Sequence, residues 1–179
     1  MDLKTYNNEW YSPGSKILQL CWIILSRVFL ESRFIWPSRF KCFLLRLFGA
    51  QVGRGVVIKP NVKIKYPWFL DIGDYTWIGE KVWIDNLAAI SIGDNCCISQ
   101  EAYLLTGNHD YKATEFSLIV APINVGNGCW IGAKSIVCPG VNIEAGAILS
   151  VGSVANKTLE KNGIYQGNPA VFKRIRKYK

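Results

Sequence analysis

The sequence predicts a parallel β-helix built from stacked hexapeptides, and three observations carry the prediction. From Val52 an aliphatic residue returns every sixth position: Val52, Ile58 and Ile64, then Ile72, Ile78 and Ile84, then Ile92, Ile98 and Leu104, then Val125, Ile131, Val137, Ile143 and Leu149. In twelve in-frame hexads the fifth residue is Val, Thr, Ala, Cys or Ser, among them Val56, Thr76, Ala88, Cys96, Ala102, Ser135 and Ala147. The residue after the aliphatic one is Gly at positions 53, 73, 79, 93, 126 and 132. Self-similarity at this period marks a β-helix. A short strand alternates its faces and cannot bury one apolar edge alone, so such strands close a core only by stacking about 4.8 Å apart, coil on coil.

The elements follow in order along the chain. Ile17 to Leu30 is apolar except for Gln19, Ser26 and Arg27, and Arg39 to Phe48 alternates basic with bulky apolar residues. Two amphipathic helices are expected in this 1–48 segment, separated at Pro37, which a helix interior does not tolerate. The first run, fourteen residues long, is too short to span a bilayer, and no small-residue cleavage site follows it as a signal peptide would require. Its apolar faces must cover something: the open first coil of the β-helix, or a membrane surface met by the neighbouring basic residues. The β-helix is expected over 49–156. Its frame slips by two residues between 64 and 72, by two between 84 and 92, and by fifteen between 104 and 125. Each slip follows a third hexad, so three hexads make one triangular coil and the insertions gather on one corner. The largest is a loop over 106–122, and long ordered loops on rigid repeats usually carry function. Residues 157–179 close the chain as a cap and basic tail.

A chain of 179 residues is long enough for one domain with a sizeable core. Its formal charge of +8 is uneven: residues 1–48 hold seven Lys or Arg against three acids, residues 171–179 five against none, and the repeats between them nine against ten. Basic ends suit a solvated surface, an anionic membrane or a phosphorylated ligand; nucleic acid is not expected, since no recognition motif accompanies the charge. The six cysteines, at 21, 42, 96, 97, 129 and 138, show no CxxC spacing. Cys96 and Cys129 fall on the small inward position, where a buried reduced thiol fits better than a disulfide, as expected of a cytoplasmic protein.

His109 is the only histidine. One imidazole cannot build a three-histidine zinc site, so no metal is expected. It can act as a general base near neutral pH, and it stands at the mouth of the 106–122 loop in Thr106-Gly107-Asn108-His109-Asp110-Tyr111.

The hexads, together with Gly107-Asn108-His109-Asp110, Trp130-Ile131-Gly132-Ala133, Pro139-Gly140-Val141-Asn142-Ile143 and Gly167-Asn168-Pro169-Ala170, resemble the hexapeptide-repeat acyltransferases over residues 46–176. Leu45-Arg46-Leu47-Phe48-Gly49-Ala50, Tyr66-Pro67-Trp68-Phe69-Leu70 and Ile98-Ser99-Gln100 resemble most the acetyltransferases of colanic acid and related exopolysaccharide synthesis. The resemblance implies a left-handed β-helix with a short C-terminal helix, assembled as a homotrimer with acetyl-CoA in a groove between subunits. It implies that His109 takes the acceptor proton, that Asp110 or its rival Asp85 orients the imidazole, and that Trp130 is an aromatic wall of the site. Gly132, Ala133, Val151 and Gly152 would contact CoA through their backbones, Asn156 and Lys157 would meet its nucleotide end, and Arg174 a phosphate. Two positions depart from the usual pattern: Glu144 replaces a hexad glycine, and Val151 stands where an alanine is common.

Acyl transfer from a thioester to an alcohol requires two substrates held together, a base for the hydroxyl and donors for the tetrahedral oxyanion. The expected reaction is therefore direct O-acetylation of a sugar hydroxyl, the acceptor being a sugar or glycan, lipid-linked if the N-terminal helices lie at the inner face of the cytoplasmic membrane. N-acetylation of an amino-sugar nucleotide or a small foreign molecule, and a β-helix scaffold without activity, are the alternatives.

Overall fold

In a computed structural model that describes residues 1–178, the hexads form a triangular solenoid. The first coil carries β1 (Gln51–Val52), β2 (Val57–Ile58) and β3 (Lys63–Ile64); the second β4 (Leu70–Ile72), β5 (Trp77–Ile78) and β6 (Trp83–Asp85); the third β7 (Ile90–Ile92), β8 (Cys97–Ile98) and β9 (Tyr103–Leu105). A hairpin of β10 (Gly107–His109) and β11 (Leu118–Val120) leaves the prism there. The fourth coil holds β12 (Ile123–Val125), β13 (Trp130–Ile131) and β14 (Ile136–Val137), and the fifth β15 (Asn142–Ile143), β16 (Ile148–Leu149) and β17 (Val154–Ala155). Last come β18 (Gly163–Gly167) and β19 (Ala170–Ile175). The first face is β1-β4-β7-β12-β15, the second β2-β5-β8-β13-β16-β18-β19 and the third β3-β6-β9-β14-β17. All pairings within the faces are parallel except that of β18 with β19.

The hexad aliphatics stack rung on rung inside the prism. Along the second face Ile58, Ile78, Ile98, Ile131 and Leu149 are all 2% exposed or less. Small fifth residues let the chain turn beside them: Thr76, Cys96, Ala102, Ser135 and Ala147 are buried as well, and Cys96 and Cys129 carry free thiols. The corner between first and second faces is tied by a side-chain ladder. The Arg54 N–H donates to Asp74 Oδ1 at 2.9 Å, the Asp74 N–H to Asp94 Oδ1 at 2.7 Å, and the Asp94 N–H to Asn127 Oδ1 at 2.9 Å. Close stacking demands glycine at Gly132, where a Cβ would lie 2.5 Å from the Val151 nitrogen.

Two helices precede the solenoid, α1 (Lys16–Phe29) and α2 (Ser38–Leu47), with Pro37 as the residue capping α2. They cover the first coil, whose strands have no coil beneath them and would otherwise expose an edge. Trp22 is buried and donates its indole N–H to the Ile64 carbonyl at 2.7 Å. Lys41 is fully enclosed and gives its ammonium to the carbonyls of Ile58 (3.2 Å) and Lys59 (2.9 Å); burial lowers its pKa.

The C-terminal segment is not the short helix expected. Instead β18 adds a sixth rung to the second face, Ile148 opposite Ile164 and Leu149 opposite Tyr165, and β19 folds back on it antiparallel. Gly167-Asn168-Pro169 breaks any helical run, and the hairpin pairs the edge that the last coil leaves open. Lys179, the last basic residue of the predicted tail, lies outside the described residues.

Candidate active site

His109 ends β10, and the register places it opposite Leu118, so the returning strand brings Phe116 beside it. The imidazole stacks on the Phe116 ring with centroids 4.3 Å apart and an interplanar angle of 2°. Its Nδ1 lies 2.8 Å from the Phe116 carbonyl oxygen. A carbonyl only accepts, so in the neutral ring Nδ1 carries the proton and Nε2 keeps a free lone pair, the form a base requires. Phe116 holds this carbonyl in place with a backbone φ of 53°, a left-handed conformation that costs a non-glycine residue about 1–2 kcal/mol.

The two carboxylates expected to orient His109 are engaged elsewhere. Asp110 Oδ1 accepts from the Lys112 N–H at 2.9 Å, closing the hairpin turn. Asp85, at the end of β6, accepts at Oδ2 from the Tyr103 hydroxyl at 3.1 Å. Its Oδ1, closed to solvent, is 3.0 Å from the Lys65 ammonium, with which it forms an ion pair. Burial, reinforced by the Asp85 charge and its hydrogen bond, pushes the Tyr103 hydroxyl up to about 12.

An N-terminal arm, for which residues 1–15 carry no periodic or motif signal, completes this corner. The Asp2 N–H donates to Thr114 O at 2.8 Å, and the Tyr11 hydroxyl to Leu87 O at 2.6 Å. The Tyr6 ring centroid is 5.8 Å from that of His109. Tyr6, Asn8, Tyr11, Lys65, Tyr66, Leu87 and Leu118 line a cleft of about 370 Å³. Burial first, then the neighbouring Tyr66 and Asp85, raises the Tyr11 pKa.

The remaining candidates group elsewhere on the prism. Trp130 stands out from the second face and donates its indole N–H to Ser99 Oγ at 2.8 Å. With Trp77, Cys97 and Ser99 it walls a cleft of about 510 Å³ that Lys59 and Arg176 also line, within the usual size range of ligand pockets. Gly132, Ala133, Val151 and Gly152 meet at the turn from second to third face, the Gly152 N–H donating to Ala133 O at 2.9 Å. Arg174 is exposed on β19, opposite Ile164. Asn156 and Lys157 are exposed just beyond β17, on the turn that leaves the third face. Arg176, by contrast, is committed to the carbonyls of Gly128 (2.9 Å) and Gly146 (3.3 Å). One chain therefore does not bring His109 and Trp130 together: one lies where the third face meets the first, the other on the second face.

A triangular solenoid of hexapeptide rungs is the fold of solved hexapeptide-repeat acetyltransferases. The fold is that of the Vibrio cholerae hexapeptide-repeat acetyltransferase VCA0836, solved in complex with acetyl-coenzyme A, at a TM-score of 0.83 and 24% identity over 98% of this chain and 96% of that one. It is also that of a galactoside acetyltransferase solved with coenzyme A, at a TM-score of 0.77 and 24% identity over 89% and 80%. No family model matches the chain. In sequence it is 43% identical over 159 residues to the colanic acid biosynthesis acetyltransferase WcaF of Escherichia coli K12, covering 89% of this chain and 87% of that protein. The chain belongs to this acetyltransferase family.

Proposed function

We propose that the protein transfers the acetyl group of acetyl-CoA to a sugar hydroxyl in surface-polysaccharide synthesis, with His109 as general base. The observation that carries this reading is the 2.8 Å contact between His109 Nδ1 and the Phe116 carbonyl, which leaves Nε2 free to take a proton. In the reaction Nε2 accepts the acceptor's hydroxyl proton as its oxygen attacks the thioester carbonyl. Backbone N–H groups at a coil edge stabilise the oxyanion, and collapse of the intermediate breaks the C–S bond as the imidazolium returns the proton to the CoA sulfur. The thioester is already activated, so neither a protein nucleophile nor a metal is required, and transfer is direct within a ternary complex.

Separation of His109 from the Trp130 cleft supports a shared site, in which the histidine corner of one subunit of a homotrimer faces the donor cleft of the next. Trp130 walls the acetyl-CoA groove, Gly132, Ala133, Val151 and Gly152 line it through their backbones, and Asn156, Lys157 and Arg174 serve its nucleotide end. Asp85, held between the Tyr103 hydroxyl and the Lys65 ammonium, joins the acceptor side; Asp110 shapes the hairpin. In this reading the acceptor is a lipid-linked glycan met at the inner face of the cytoplasmic membrane.

Calorimetric titration with acetyl-CoA, run beside His109→Ala, tests the proposal. Binding by both proteins with turnover by the wild type alone, giving a product cleaved by mild base, is the expected result. A folded wild type that binds no acetyl-CoA would leave an inactive scaffold, and an alkali-stable product would mean an amine acceptor.

A further inference from the structure

α1 is apolar on both of its sides. Trp22, Leu25 and Phe29 pack inward, while Ile17, Leu20, Ile24 and Val28 point out and are between 49 and 76% exposed. At about 100° per residue these four outer residues fall in an arc of about 80° opposite Trp22, and Lys16 and Arg27 fall together along one edge of that arc. The apolar surface continues past the end of α1 in Phe34 (65% exposed) and Ile35 (79%). A helix apolar all round is ordinarily enclosed. No described helix is long and apolar enough to cross a membrane, and the fourteen residues of α1 reach only about 21 Å.

Charge decides between the possible occupants. Residues 16–48 hold six Lys or Arg against one acid, Glu31, and that carboxylate accepts from Ser26 Oγ at 3.1 Å. A second copy of the same face would set Lys16 and Arg27 against like charge, whereas an anionic lipid surface meets both the apolar arc and its basic edge.

We propose that the outer face of α1, with Phe34 and Ile35, docks in the plane of an anionic phospholipid bilayer, its apolar side chains below the headgroups and Lys16 and Arg27 among them. The basic flank of α1 explains why such docking is useful. Trp22, Ile23 and Arg27 form one wall of a cleft of about 270 Å³ whose other wall includes Lys65 and Asp85, so a docked α1 brings the Asp85 side of the molecule to the lipid surface. That last link rests on the lipid-linked acceptor reading; the docking itself does not.

Flotation with phosphatidylcholine vesicles, with and without phosphatidylglycerol, tests the surface. The wild type is expected to float with the anionic vesicles. Leu20→Glu/Ile24→Glu should stay in the dense fraction, and Lys16→Ser/Arg27→Ser should bind about thirtyfold more weakly, at about 1 kcal/mol per basic residue. Phe34→Ser/Ile35→Ser, outside both helices, gives a second apolar variant should the first misfold. A wild type that does not float, or apolar variants that float equally well, would overturn the proposal. So would a concentration-dependent rise in mass that Leu20→Glu/Ile24→Glu abolishes, since the face would then belong to a second copy. Acetyl-CoA titration of the same samples separates the two readings: a protein that binds the donor and ignores vesicles loses its docking surface and keeps its chemistry.

Discussion

At His109 the tautomer is set by the Phe116 carbonyl, 2.8 Å from Nδ1. His109→Asn should lower turnover by about 10²- to 10⁴-fold and leave the acetyl-CoA dissociation constant unchanged, as calorimetry and steady-state kinetics would report. Asp110→Asn should cost far less, because that carboxylate serves Lys112 and not the imidazole. The Tyr103–Asp85 pair carries a pH signature. Tyr103 is held up to about 12 by burial and by Asp85, so its proton favours the folded state fully below the ordinary tyrosine range, and that stability is lost as the pH rises through about 12. Phenolate absorbance should show this late titration; Tyr103→Phe should remove it, and Asp85→Asn should bring it to lower pH. Residue-scale detail was the least legible in sequence. The ring's partner is a backbone carbonyl, a group every residue carries, and the two carboxylates beside or below His109 were the only visible candidates.

The solenoid elements were legible because hexad and coil share one physical cause. Each aliphatic residue must reach the same interior, so Ile58, Ile78, Ile98 and Ile131 recur on one face and are all buried. Ile98→Ala should cost about 2–5 kcal/mol in denaturant unfolding, whereas Trp77→Ala, 56% exposed on the adjacent strand position, should cost much less. A second, longer period runs through the same coils. Lys65 pairs with Asp85, Arg54 with Asp74 and Trp83 with Tyr103, each pair twenty residues apart, because one coil here is three hexads and a two-residue corner. That coil length is the sequence signal that ties Asp85 to Lys65 below it and away from the imidazole. The C-terminal hairpin and N-terminal arm were not legible, since Tyr6 and Tyr11 are placed by contacts with a distant corner and β19 by the open edge of the last coil.

On the scale of the whole molecule, the described chain is a prism with its candidate parts on different sides: His109 at the corner of third and first faces, the Trp130 cleft on the second. Under the proposed reaction such a molecule needs a neighbour to complete its site, and sedimentation equilibrium should find a trimer. Trp130→Ala, exposed and bonded only to Ser99, should raise the KM for acetyl-CoA more than it lowers kcat. Composition revealed the basic ends but not their division of labour: Arg176 holds turn carbonyls, while Lys16 and Arg27 flank an apolar helix face.

The most direct measurement of the shared site is subunit complementation. His109→Ala and Trp130→Ala proteins are unfolded together, refolded as mixed oligomers, and assayed for acetyl transfer at low acetyl-CoA. Activity in the mixture well above that of either parent is predicted, because some interfaces then pair an intact histidine corner with an intact donor cleft. A mixture no more active than the average of its parents would place both groups in one subunit's site and contradict the account.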